Sequence, residues 1–199
     1  VETIFIINDD KQKKKLMTIA LEDINRLDRL ITDISDASRL DSDLSKEKMI
    51  NLNLTSLIDG FITIRKEMIK GVQFKLNLEK DLFISGNESR LIQVFDNLVN
   101  NWISFSPKDG VIKIDALKIR GKIHVIFSDQ GRGIPKGKED TIFDRFYSDR
   151  PSNEKFGKHS GLGLSIVKQI LLSHKAKIYA DNIYHRNKDI KGAKFTIIF

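Results

Sequence analysis

From residue 110 onward the sequence contains strand-like runs in neighbouring couples. "GVIKIDALKI" is followed at once by "KIHVIFSD", and after an apolar helix-like run at 161–173 come "AKIYADN" and "AKFTIIF". Apolar residues recurring at every second position mark strands with one buried face, and strands separated by a few residues pair with each other most easily. Upstream, "VQFKLNLEK" and "LFIS" make a further couple between helical patterns at about 54–70 and 88–104. Helices that fall between couples have to cover a sheet face. The expected fold class is therefore α+β, a two-layer α/β sandwich with one mixed or mostly antiparallel sheet and its helices on one face.

Residues 16–44 differ from the rest. Leu16, Ala20, Ile24, Leu27, Ile31, Ile34 and Ser38 recur at spacings of three and four, and Glu22, Arg26, Arg29 and Asp33 fall outside that stripe. This is the pattern of a long amphipathic helix with near-heptad periodicity. A helix of that length cannot bury its stripe alone, so we expect it to be half of a helical hairpin that pairs with a copy of itself, the alternative being an ordinary surface helix packed on the following domain. The charged stretch "LDSDLSKEK" ends it, which divides the chain at 1–46 and 47–199.

Composition excludes several function classes. The 199 residues carry 34 Lys and Arg against 27 Asp and Glu, so 34 − 27 = +7. Apart from "KQKKK" at 11–15 the basic residues are scattered and are not interleaved with aromatics, which argues against nucleic acid. The absence of cysteine removes disulfides, thiolate zinc sites and cysteine nucleophiles. No window approaches the roughly 18 apolar residues of a membrane span, so no direct membrane contact is expected. The chain begins with Val1 inside the apolar "VETIFII", and we expect it to be a fragment of a longer protein.

Four stretches bear chemistry. In "NESRLIQVFDNLVNNWISFSP", Leu91, Val94, Phe95, Leu98 and Trp102 form a helical buried face with Asn87 as cap, and Asn97 and Asn101 lie one turn apart on another face. Asparagine is a poor interior helix residue, by up to about 0.7 kcal/mol against alanine. A repeated amide there fits one position of magnesium's octahedron, or simply a solvated polar stripe. In "IHVIFSDQGRGIP" a strand runs into Asp129, a carboxylate able to accept from an exocyclic amine, followed by Gly131 and Gly133, which permit positive φ and close backbone approach. "IFDRFYSDRPSNEKFGKHS" sets Phe143, Phe146 and Tyr147 before a polar segment that could act as a lid or be an inert loop. Finally Gly161, Leu162, Gly163 and Leu164 open an apolar helix, whose first N–H groups and dipole attract phosphate. No Gly-Lys-[Ser/Thr] follows, so this is not a Walker A loop.

Taken in order, these motifs resemble the ATP-binding domain of sensor histidine kinases, in the superfamily shared with gyrase, the Hsp90 chaperones and the MutL mismatch-repair ATPases. The resemblance covers about residues 50–199. Residues 1–44 are similar to the end of the dimerising hairpin, and "RLDRLITDISDASRLDSDL" resembles the alphaproteobacterial envelope-regulating sensor kinases. It implies ATP and Mg2+ as ligands, with Asn101 on the metal and Asn97 supporting the phosphates as the one catalytic position. Asp129 would take the adenine amino group, and Gly131 and Gly133 would border the base. Gly161, Leu162 and Gly163 would offer backbone N–H groups to the phosphates. Ile134, Phe146, Tyr147, Lys158, Ser160 and Leu164 would complete the nucleotide's surroundings. It further implies a cognate response regulator, a homodimer through the hairpin, and the cytoplasmic portion of a bacterial inner-membrane protein.

The chain departs from the family pattern at three positions. Ser104 stands where many members carry a base, a role that Arg145, Arg150 or Lys158 would then fill; Trp102 replaces a small residue; His159 replaces a frequent glycine. Two rivals stay open, a hydrolytic ATPase, which generally has glutamate where this chain has Asn97, and a scaffold without catalysis. None of His124, His159, His174 and His185 has the surroundings of the family's phosphoacceptor. His124 reads as structural, His174 and His185 as surface positions, and the acceptor is expected upstream of Val1.

Overall fold

The computed structural model describes residues 47–199 except 70, 106, 108, 148–160, 187 and 188, together with residues 10, 12–21, 24, 27 and 31. Every one of the described residues among 10–31 is helical. Ile24, Leu27 and Ile31 on the predicted stripe are 61%, 57% and 66% exposed. Ile34 and Ser38 lie outside the described residues.

Seven strands and three α-helices follow: β1 (Ile50–Asn53), α1 (Leu54–Met68), β2 (Val72–Leu78), β3 (Phe83–Gly86), α2 (Glu88–Phe105), β4 (Gly110–Ile119), β5 (Lys122–Ser128), α3 (Gly163–Ser173), β6 (Lys177–Tyr184) and β7 (Ile190–Ile198). A 3-10 turn at Thr141–Phe143 precedes α3. Local signals start the helices where expected. Asn53 Oδ1 accepts from Ser56 N–H at 3.1 Å to cap α1, and Asn87 Oδ1 accepts from Arg90 N–H at 3.1 Å to cap α2.

The main sheet has the order β2-β4-β5-β7-β6, with β2 parallel to β4 and the other pairs antiparallel. Both late couples, β4 with β5 and β6 with β7, pair as the sequence pattern predicts. The early couple does not. Strand β2 pairs in parallel with β4, while β3 turns away to pair with β1 in a separate two-stranded sheet. A parallel pair needs a crossover of a dozen or more residues, and α2 supplies it. The sequence reading took β2 and β3 as neighbours and had no strand at Ile50–Asn53, whose "INLN" is too short for a period to show.

Alternate residues along the central strands are buried, so the helices cover one face. Ile112, Ile114 and Ala116 of β4, Val125 and Phe127 of β5, and Phe195 and Ile197 of β7 meet the buried faces of the helices. On α2 that face is Leu91, Val94, Phe95, Leu98, Val99 and Trp102. The Trp102 indole packs 4.7 Å from Phe127 and 5.8 Å from Phe195, centroid to centroid, so it belongs to the core rather than to a polar face.

His174 corrects the sequence reading, for it is buried. Its Nε2 accepts from Asn87 N–H at 2.9 Å, so the proton sits on Nδ1, which donates to the Ile170 carbonyl at 2.8 Å. The C-terminus of α3 is thereby tied to the N-cap of α2. His124 is half-buried in β5, opposite Leu117 and Ile198, and His185 is exposed as expected.

Candidate functional site

Helix α2 passes every other part of the candidate site. At its C-terminal end Gly131 lies so close that a Cβ there would come within 2.8 Å of the Phe105 carbonyl oxygen, and the Arg132 guanidinium sits 5.0 Å above the Phe105 ring. Two turns earlier, a Cβ on Gly163 would be 3.4 Å from Asn97 Oδ1. Asn101 falls between these contacts, one turn from each. From Asn97 to Phe105 the helix rises about 12 Å. One face of α2 therefore brings together the Asn pair, the loop that begins at Asp129 and the start of α3.

Asp129 is buried at the end of β5. Its Oδ1 accepts from Gly131 N–H at 2.7 Å and from Ala193 N–H at 3.0 Å, while its own N–H donates to the Ala193 carbonyl at 3.0 Å. Burial pushes the carboxyl above the ordinary aspartate range, and the two N–H donors from Ala193 and Gly131 pull it part of the way back. Both contacts fall on Oδ1, so Oδ2 is the oxygen a ligand donor would meet.

The glycines act for different reasons. Gly133 has φ 77° and so the left-handed conformation that was expected. Gly131 does not share it; its requirement is room against Phe105. Gly161 has φ 72°, and a Cβ there would press within 2.9 Å of the Phe146 carbonyl carbon and the Tyr147 oxygen. Its carbonyl accepts from Phe146 N–H at 3.1 Å, so the two chain segments flanking 148–160 are joined. The lid expectation itself, with Arg150, Lys158, His159 and Ser160, lies outside the described residues. Phe146 is exposed, whereas Tyr147, Leu164 and Ile134 are at least partly buried.

At the start of α3 the first intrahelical bond runs from Ile166 N–H to the Leu162 carbonyl at 2.9 Å, and no side chain caps the helix. The N–H groups of Gly163, Leu164 and Ser165 therefore have no partner within the helix, an arrangement suited to an anion. Among the described residues no group of three or more His, Asp or Glu is gathered as a metal cage. One neutral amide at Asn101 fits a magnesium ion that arrives already ligated by phosphate and water.

Two residues of this site escaped the sequence reading. Asn182 of β6 grips the Ile134 peptide, and Gly192 of β7 lies against Asp129 so tightly that a Cβ would collide with the Asp129 carbonyl. The available signals were an asparagine inside one strand pattern and a glycine immediately before another, where either residue is disfavoured without a local reason.

Comparison with known proteins identifies the family and the fold. The family described as "Histidine kinase-, DNA gyrase B-, and HSP90-like ATPase" matches residues 86–199. Sensor protein ChvG of Rhizobium meliloti (strain 1021) is 38% identical over 208 aligned residues, covering 99% of this chain but 36% of the relative, so the chain spans roughly a third of that protein's length. The mycobacterial sensor histidine kinase MprB superposes with a TM-score of 0.66 at 25% identity, over 76% of this chain and 96% of that one. Histidine kinase ThkA, solved in complex with response regulator protein TrrA, gives 0.72 at 25% identity, over 97% of this chain and 52% of that one. The chain belongs to the histidine kinase-, DNA gyrase B-, and HSP90-like ATPase family, a nucleotide-binding family, and within it is similar to the catalytic portions of sensor histidine kinases.

Proposed function

We propose that residues 47–199 bind Mg·ATP in one extended pose along α2 and serve as the catalytic part of a sensor histidine kinase, and that residues 1–46 are the end of its dimerising hairpin. The observation that carries the reading is the spacing along α2: Gly131 against Phe105, Gly163 against Asn97, and Asn101 between them. Adenine belongs at the Asp129 end, where the buried carboxylate accepts from the exocyclic amine and Gly131, Gly133 and Ile134 border the base. The phosphates belong at the other end, where the N–H groups of Gly163 and its neighbours donate to them beside Asn97. Phe146 and Tyr147 belong to the surroundings, and the resemblance adds Lys158 and Ser160, which lie outside the described residues. Asn101 would hold the magnesium ion, which supplies charge neutralisation when bound.

In the intact protein the γ-phosphoryl passes from ATP to an imidazole nitrogen on the hairpin, with ADP leaving, and then to an aspartate of a response regulator. The ThkA complex with TrrA supports a partner of that kind. From the resemblance we assign the acceptor to a segment beyond these residues; among the described histidines, His174 is buried with both ring nitrogens engaged, His124 lies within the sheet, and His185 is exposed without the sequence surroundings of the family's acceptor. No helix among the described residues is long and apolar enough to cross a membrane. From the resemblance alone we carry over that this is the cytoplasmic portion of a protein attached elsewhere to a bacterial inner membrane.

Calorimetric titration with a non-hydrolysable ATP analogue and magnesium should give saturable heat, and incubation with γ-labelled ATP should leave this chain without acid-labile label. Absence of nucleotide-dependent heat contradicts the binding site. Stable acid-labile label on the chain alone contradicts the placement of the acceptor.

A further inference from the structure

We propose that Asn182 is a positioning residue for base recognition: from β6 its carboxamide fixes the far end of the 129–134 loop to the same rung of the sheet that fixes Asp129 at the near end. The inference rests on the reading above that Asp129 receives the exocyclic amine of the base.

The Ile134 N–H donates to Asn182 Oδ1 at 2.7 Å, and Asn182 Nδ2 donates back to the Ile134 carbonyl at 2.7 Å. Donor and acceptor of one carboxamide are both used on one residue's backbone, a planar two-point grip. Asparagine is suited to it because its amide offers a donor and an acceptor side by side; aspartate lacks the donor and leucine lacks both. In the ladder Asn182 lies directly opposite Ala193. Ala193 is the residue whose N–H and carbonyl hold Asp129. Both ends of the loop thus hang from a single cross-strand pair.

Space enforces the same arrangement. A Cβ on Gly133 would lie 2.5 Å from Asn182 Oδ1, and Gly192, the neighbour of Ala193, leaves no room for a side chain against Asp129. The loop cannot slide along the sheet while both ends are held. A hydrogen bond from a base to Asp129 requires alignment to a fraction of an ångström. Releasing Ile134 leaves Asp129 anchored but lets the opposite wall of the base site drift, so the base loses its register with the carboxylate.

The test compares dissociation constants, by calorimetry with magnesium, for non-hydrolysable analogues of ATP and of inosine triphosphate, which carries an oxygen in place of the exocyclic amine. The wild-type chain should prefer adenine. In Asn182→Ala and in the equal-sized Asn182→Asp that preference should fall about tenfold, as for a polar contact that is no longer aligned. Asn182→Gln, whose longer carboxamide keeps a donor and an acceptor but displaces both from Ile134, should do likewise, and it decides the matter if the other Asn182 variants do not melt cooperatively. Equal losses for both nucleotides with the ratio unchanged would mark Asn182 as merely structural and overturn the proposal, as would wild-type affinities in all variants. A wild-type chain that shows no preference for adenine refutes the Asp129 assignment itself, a failure visible before any variant is made.

Discussion

Among single residues, Asp129 carries the most weight in the proposed function. An acid whose folded pKa is raised binds protons more readily in the native state than in the unfolded chain, so its ionisation opposes folding. The opposition grows as pH rises from the ordinary value of 3.8 to the raised folded value, and is constant above that. Asp129→Asn keeps an Oδ1 acceptor for the Gly131 and Ala193 N–H groups and removes the charge. Urea melts at a series of pH values should therefore show the variant gaining on the wild type as pH rises through that window. Its affinity for the ATP analogue at neutral pH should fall about tenfold or more, since a charged acceptor is replaced by a neutral amide that can face the amine with its own donor. Asp129 itself was legible in the sequence as a carboxylate at a strand end before glycines. Asn182 and Gly192 were not, because their work is done between residues far apart in sequence: the partner of Asn182 is 48 positions away, and Gly192 lies against Asp129.

Among the elements, α2 and α3 frame the candidate site, and α3 is joined to α2 at both of its own ends. Asn97 meets Gly163 at one end, and His174 holds Asn87 at the other. Replacing His174 by Leu leaves the partly buried Asn87 N–H without its acceptor and should destabilise the domain by about 1–3 kcal/mol in urea melts. His174→Gln, whose Oε1 can accept from Asn87, should recover part of that loss; a loss no larger than about 0.5 kcal/mol for both variants, the size of an ordinary surface change, would show that the tie contributes nothing. Helices and the two late hairpin-like couples were readable because period and proximity are local properties. The parallel pairing of β2 with β4 was not, since it depends on how α2 crosses over the sheet, and neither was the four-residue β1 that takes β3 as its partner. His174 was misread for the same reason: its surroundings come from β3 and α2, not from its neighbours in sequence.

At the scale of the whole molecule, the N-terminal helix displays Ile24, Leu27 and Ile31 to solvent while the domain at 47–199 buries its own core. A stripe of that length is stable when a second apolar face covers it. Sedimentation equilibrium should reveal a concentration-dependent dimer that the double substitution Ile24→Glu, Leu27→Glu abolishes without lowering the melting temperature of the ATP-binding domain. A wild-type chain that stays monomeric throughout would remove the hairpin reading and leave the nucleotide site intact. In the function proposed here, Asn97 and Asn101, the Asp129 loop and the Gly161 turn hold one ligand. Amide NMR of the labelled chain, titrated with the ATP analogue and magnesium, tests it most directly. Resonances of Asn97, Asn101, Asp129, Gly131, Gly133 and Gly163 should shift together with one common midpoint, and exchanging magnesium for paramagnetic manganese should broaden Asn101 first. Shifts confined to one of these groups, or groups that saturate at different midpoints, would contradict it.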